Sequence, residues 1–281
     1  MPAYPPDRHL LRGLAFSMIR TPDRSDRVLM PTPRELRSAS GAVSLGALAV
    51  AVDLAAAGVA MRTIAPDWLA TAELEIHAQE REPVELAVAE PTLLRSGRTT
   101  AVFEVTVRGY GSEEESRTAE GVALAHSTMT FVRISRPDLT SELEHPSEPT
   151  EETRVDFARP DSGLRSPFLT ELGLQTTDAA AGIVELPASD FAKNSFGSLQ
   201  GGITATLAQA ACEAATGALL GEPAIATDLS VHYLAQGKGP YRTRCELLRE
   251  GNGTALHRVE ILDVETRTLM ATATTTSSLA G

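Results

Sequence analysis

The chain has 281 residues, enough for two domains that each bury a core, and its composition is ordinary for a globular protein, poor in aromatics and with two cysteines. Its net charge of −12 argues against a nucleic-acid backbone as the main partner, although local arginines can still hold a phosphorylated ligand. Cys212 and Cys245 are too few for a disulfide framework or a zinc cluster and read as buried thiols of a reducing compartment, with no metal expected.

The first residues, MPAYPPDRHLLRG, carry no apolar signal core, and an extended stretch is expected over Leu10–Met18. A Gly-containing loop then opens a small-residue helix, Leu45–Arg62. Its apolar run Ala47–Met61 is 15 residues long and holds Asp53, too short and too charged to span a bilayer. A cytoplasmic protein that engages no membrane is expected. Alternating segments follow at Thr71–His77, Val84–Leu94, Thr99–Arg108 and Gly121–Ile134, with Gly109–Glu120 as an exposed hairpin tip.

Pro137–Asp156 sets Asp138, Glu142, Glu144, Glu148, Glu151, Glu152 and Asp156 against the single Arg154, among three prolines, and reads as an extended solvated linker. Beyond it the order repeats: an extended Ala181–Pro187, a Gly-rich loop, a helix over Gly201–Leu220, and strands at Thr227–Leu234, Tyr241–Arg249, Leu256–Asp263 and Leu269–Ser277. Short strands around one long helix, twice, give an α+β class with an N-terminal domain 1–136, a linker 137–160 and a C-terminal domain 161–281. Both helices are rich in Ala, Gly and Val on nearly every side, so each must be buried, and small residues let a curved sheet approach closely.

The repetition is legible in detail. LLRSGRTTAVFEVTV at Leu93–Val107 matches LLREGNGTALHRVEI at Leu247–Ile261, and ELEIH at Glu73–His77 matches DLSVH at Asp228–His232, shifted by 155 residues. That period is far too long for a solenoid and marks a fused duplication. When GAVSLGALAVAVDLAAA (Gly41–Ala57) is set against GSLQGGITATLAQAACE (Gly197–Glu213), Asp53 falls opposite Gln209. A carboxylate inside an apolar helix is costly and is tolerated most often at functional sites, which makes Asp53 the leading catalytic candidate, against a structural Asp bonded to a loop. The second candidate is the loop Asn194–Gly202, where Gly201 and Gly202 precede a helix whose free amides and dipole suit a developing oxyanion; a tight turn needing glycine is the plain alternative.

These residues carry a resemblance. Asn194, Gly197, the triplet Gln200-Gly201-Gly202, the small-residue helix and the strand TDLSVHYL are similar to the PaaI-like hotdog-fold acyl-CoA thioesterases, whose pattern is N-x-x-G-x-x-H-G-G with an acidic residue seven positions after the second Gly. The resemblance covers nearly the whole chain, once per copy. It implies two tandem hotdog domains, each an antiparallel sheet wrapped around a long helix, forming a pseudo-dimer with further self-association as a homo-oligomer open.

It also implies acyl-CoA hydrolysis without a cofactor, at a site drawn from both copies. Asn194, Gln200 and Gly201 would meet Asp53 and Thr71; the opposite site would combine Ser38, Ser44 and Leu45 with Gln209 and Thr227, with Glu213 as a displaced carboxylate. The departure is Gln200 at the family's His, which can donate a hydrogen bond but cannot titrate. Arg95 and Arg249, matched by the LLR repeat, are candidates for coenzyme A phosphates. The alternatives are a non-catalytic acyl-CoA-binding hotdog protein, since a fold does not guarantee turnover, and a lyase using His77 or His232. No G-x-S-x-G elbow, G-x-G-x-x-G or P-loop is present.

Overall fold

In the computed structural model, which describes residues 4–79, 82–134 and 146–280, the small-residue segments form the two long helices, α2 (Leu45–Thr63) and α4 (Gly201–Leu220). The N-terminal repeat supplies a short helix α1 (Leu10–Gly13) and strands β1 (Ser17–Arg20), β2 (Arg27–Pro31), β3 (Trp68–Ala78), β4 (Leu86–Ser96), β5 (Thr100–Tyr110) and β6 (Val122–Ile134). The C-terminal repeat supplies α3 (Phe168–Leu172) and strands β8 (Gln175–Asp178), β9 (Ile183–Leu186), β10 (Ala224–Tyr233), β11 (Tyr241–Gly251), β12 (Thr254–Asp263) and β13 (Leu269–Leu279).

Two departures from the sequence reading concern the ends of the repeats. Leu10–Gly13, expected to be extended, is one helical turn capped by the His9 ring. The expected linker ends in a strand, β7 (Thr153–Asp156), which pairs antiparallel with β1; Ser17 and Arg154 share the Asp156 carboxylate, and Arg154 also reaches Glu113 on the hairpin tip at 2.6 Å. Residues 137–145 of that linker lie outside the described residues.

All the strands belong to one antiparallel sheet in the order β7-β1-β2-β4-β5-β6-β3-β10-β13-β12-β11-β9-β8. Its middle is the pairing of β3 with β10, one from each repeat, in register from Asp228 opposite His77 to His232 opposite Glu73. Read outward from this seam the two halves match strand for strand over six strands, with β7 an extra edge strand on the N-terminal side, which is a pseudo-two-fold axis between two sheets joined edge to edge. Inward residues alternate as strand geometry requires: Ala101, Phe103, Val105 and Val107 of β5 close over α2, and Val259 and Ile261 of β12 belong to the same core as α4. By length and composition α2 could cross a bilayer, but most of it is buried within the core.

The helices run antiparallel and touch backbone to backbone. A Cβ on Gly202 would lie 2.4 Å from the Cα of Val50, and one on Gly46 would lie 2.5 Å from Gln209 Oε1 and 2.9 Å from the Cα of Thr206. Glycine at these two positions is what lets each helix N-terminus dock on the middle of the other helix.

The contrast with Gly58 of α2 gives a test. A Cβ there meets only the mobile end of Met18, at 3.2 Å. Gly202→Ala must push two backbones apart and is expected to cost about 3 kcal/mol. Gly58→Ala should be neutral or stabilise by about 0.5–1 kcal/mol through helix propensity. Denaturant unfolding of the two variants measures both.

Candidate active site

Asp53 sits midway along α2, nearly buried, against the first turn of α4 from the other repeat. Its Oδ2 accepts from the side-chain amide of Gln200 (2.6 Å) and the backbone amide of Gly202 (3.3 Å), and its Oδ1 accepts from the Thr71 hydroxyl on β3 (3.3 Å). A methyl group on Gly201 would stand 3.0 Å from both carboxylate oxygens. The carboxylate therefore lies against the N-terminus of the opposite helix and away from the loop of its own repeat, as a composite site requires.

Each partner is held in turn. Gln200 is the N-cap of α4: its Oε1 accepts from the Ile203 amide (3.1 Å) while its Nε2 faces Asp53, so both ends of the carboxamide are used. Asn194 closes the loop before the helix, its Oδ1 accepting from the amides of Phe196 (2.9 Å) and Ser198 (3.2 Å), with Gly197 at φ 76° completing the turn. Asn194 is thus the turn residue of the loop, and it also lines the cavity described below. Tyr233 at the end of β10 donates to the carbonyl of Gly201 (2.8 Å), fixing the peptide that carries the Gly202 amide.

Burial raises the Asp53 carboxyl to about 6, opposed by the bonds from Gly202, Thr71, Gly201 and Gln200 that favour the anion. Asp53, Thr71, Gln200 and Gly201 all line one cavity of about 670 Å³, whose walls are largely apolar and include Leu54, Gly58, Met61, Trp68 and Met270. That volume is in the range of small-molecule sites.

The pseudo-symmetric position is chemically different. Gln209 Oε1 accepts from the Ser44 hydroxyl (3.0 Å) and the Gly46 amide, the bonding pattern of Asp53 with a neutral carboxamide in its place. Its Nε2 donates to Glu213, whose carboxyl also takes the Ala226 amide and is pushed up to about 7 by burial. Thr227 bonds to Asp228 and Thr276 instead. Leu45 stands where the other repeat has Gly201, and the pocket beside it, between Leu48 and Ile225, is only about 20 Å³.

Other candidates lie apart. Arg95 and Arg249 are exposed near the ends of β4 and β11, and neither lines the large cavity. His77 and His232 pair with Asp228 (2.8 Å) and Glu73 (3.5 Å) across the β3–β10 seam, half exposed. Cys212 is buried against Ser277 and Cys245 is half-buried; both are free thiols. Tyr233 is not among the residues that the sequence reading singles out, yet it falls opposite Ala78 under the 155-residue shift that aligns ELEIH with DLSVH.

No protein-family model and no curated protein sequence matches the chain. Solved structures match it over nearly its full length. One is a protein from Novosphingobium aromaticivorans DSM 12444 described provisionally as a thioesterase (TM-score 0.61, 16% identity, 94% of this chain and 98% of that one). Another is a hot dog fold protein from Alicyclobacillus acidocaldarius (TM-score 0.54, 14% identity, 90% and 92%). The fold is a tandem hotdog. The 12:0-ACP thioesterase from Umbellularia californica shares it (TM-score 0.56, 10% identity, 89% and 92%).

The buried carboxylate makes a stability prediction with a definite sign. A carboxyl held at about 6 when folded, against 3.8 ordinarily, binds its proton more tightly in the native state, so stability falls as pH rises from about 4 to about 6 and stays lower above. Asn has no such dependence, and it can keep the bonds: its oxygen toward Gln200 and Gly202, its NH₂ toward Thr71. Asp53→Asn should gain about 2–3 kcal/mol relative to wild type between pH 4 and pH 8. Denaturant unfolding at those pH values that showed a constant difference would contradict this.

Proposed function

We propose that the protein hydrolyses acyl-coenzyme A thioesters at this composite site, with Asp53 acting on water and the Gly201 amide as oxyanion donor. The observation that carries the reading is the meeting of a raised-pKa carboxylate with a glycine-opened helix N-terminus inside a large apolar cavity. Hotdog-fold structures of the same full-length architecture named as thioesterases support the reaction class.

The chemistry follows from the parts. At pH 7 to 8 Asp53 is largely ionised and can take a proton from a water that attacks the thioester carbon. The carbonyl oxygen, becoming negative, is met by the Gly201 N–H and the positive end of the α4 dipole, which are preorganised for that charge. Collapse of the tetrahedral intermediate breaks the C–S bond. The leaving thiolate recovers the proton from Asp53, and the acid is released with its own hydrogen balance intact. Thr71 and Gln200 hold the carboxylate in orientation through the cycle. Gln200 replaces a titrating His without loss of a donor, since its NH₂ bonds Asp53 whatever the pH.

Asp53→Asn should lower kcat by about 10²-fold or more, as loss of a positioned base does, with ligand affinity little changed. Gln209→Ala should leave kcat near wild type while costing about 1–3 kcal/mol of stability, since it strands Ser44, Gly46 and Glu213. In wild type kcat/KM should rise through pH of about 6 and plateau above, the reverse of the stability trend. A thiol-trapping assay over acyl-CoA and acyl-carrier-protein thioesters checks all three. Full turnover in Asp53→Asn would overturn the assignment, and binding without turnover in wild type would favour a non-catalytic acyl-CoA-binding protein.

A further inference from the structure

Among the described residues, two charged side chains line the large cavity. One is Asp53. The other is Arg20, at the end of β1. In a strand, residues two apart share a face, so Met18 and Arg20 both line the cavity, while Ile19 turns outward into a separate cluster with Leu29, Leu86, Val88 and Tyr110.

Among the described residues the charges around Arg20 do not balance. Three arginines, Arg20, Arg24 and Arg62, face two carboxylates, Asp26 and Glu148. Asp26 is taken by the fully buried Arg62 at 2.7 Å and by the Thr21 amide at 3.0 Å. Glu148 is shared by Arg24 and Arg62. Arg20 forms no ion pair among the described residues, and its Nε donates to Met18 Sδ at 3.3 Å. Burial lowers its pKa first, then the neighbouring charge of Arg62, and Asp26 offsets this only in part. A cation half-withdrawn from water beside an apolar cavity, with the described carboxylates around it already engaged, favours an anion brought by a ligand.

Its place sets where that anion lies. Arg62, beside Arg20, is nine residues along α2 from Asp53, about 13 Å of helix rise. Leu54, Gly58 and Met61, at helical spacing on α2, together with Met18 form the apolar belt between the two charged side chains. We propose that Arg20 recognises an anionic group of the substrate, carried on the order of 10 Å from the thioester carbon across this apolar belt. The placement relative to the thioester rests on the hydrolase reading; the anion site does not. A terminal carboxylate on a medium-length acyl chain and a phosphate of the carrier share this chemistry.

The test is calorimetric binding to Asp53→Asn protein, with and without Arg20→Met, which keeps an apolar stem in place; thermal unfolding verifies the fold of each. The probes are octanoyl-CoA, suberyl-CoA with its terminal carboxylate, and the N-acetylcysteamine thioesters of the same two acids, which lack phosphates. Loss of about 10–100-fold confined to the two suberyl thioesters supports the proposal and identifies an acyl carboxylate. A loss of that size confined to the two coenzyme A thioesters supports it and identifies a carrier phosphate. Unchanged affinity for all four, or an equal loss that includes neutral octanoyl-N-acetylcysteamine, overturns it. Absence of wild-type turnover on every thioester would defeat the hydrolase reading while leaving these binding results intact.

Discussion

The close crossing of α2 and α4 is the constraint on which the rest depends. Gly46 and Gly202 remove the side chains that would hold the helices apart, and Val50 and Thr206 bring backbone into the space left. Two helices that cross this tightly and antiparallel set each N-terminus on the middle of its partner. Whatever side chain occupies that middle position receives the partner's first amides and the positive end of its dipole. The architecture thus builds two anion-friendly positions, and the sequence decides which is charged.

At one position the chain places Asp53 and at the other Gln209. Both accept the amide of the facing glycine and a bond from the facing N-cap residue, Gln200 or Ser44. The carboxamide satisfies those donors at no cost in buried charge, and Leu45 and its neighbours leave the space beside it nearly closed. The carboxylate instead bears the desolvation that raises its pKa, and beside it glycine replaces leucine and the cavity opens. One end of the duplicated scaffold is packed for stability, while the other retains the unfavourable burial that raises a carboxyl pKa.

Most of this was legible in the sequence because it depends on comparison within the chain. Asp53 against Gln209, and Gly201 against Leu45, are differences between aligned repeats; the alternating strands follow from their period and the long helices from runs of small apolar residues. What was missed depends on context. The run LLRG is too short to show helical periodicity, so in sequence α1 looks extended. Strand β7 was hidden in a charge run: Arg154 and Asp156 look solvated in sequence, but at a sheet edge they pair with Glu113 and Ser17, and charged edges are how exposed strands are kept from further pairing. Tyr233 stood in the repeat mismatch, opposite Ala78, and only the carbonyl it binds gives that mismatch a meaning. Arg20 carried no signal, since an arginine after Met-Ile reads as the exposed end of a strand until the cavity and the occupied carboxylates around it are known.

The central claim is that a thioester is presented to residues of both repeats at once. A crystal structure of Asp53→Asn protein with an intact acyl-CoA tests it most directly. The account predicts one thioester per chain, its carbonyl oxygen about 3 Å from the Gly201 amide and its carbonyl carbon within one water of residue 53. A thioester seated beside Gln209 and Leu45, or one whose carbonyl lies out of reach of the α4 N-terminus, would contradict it.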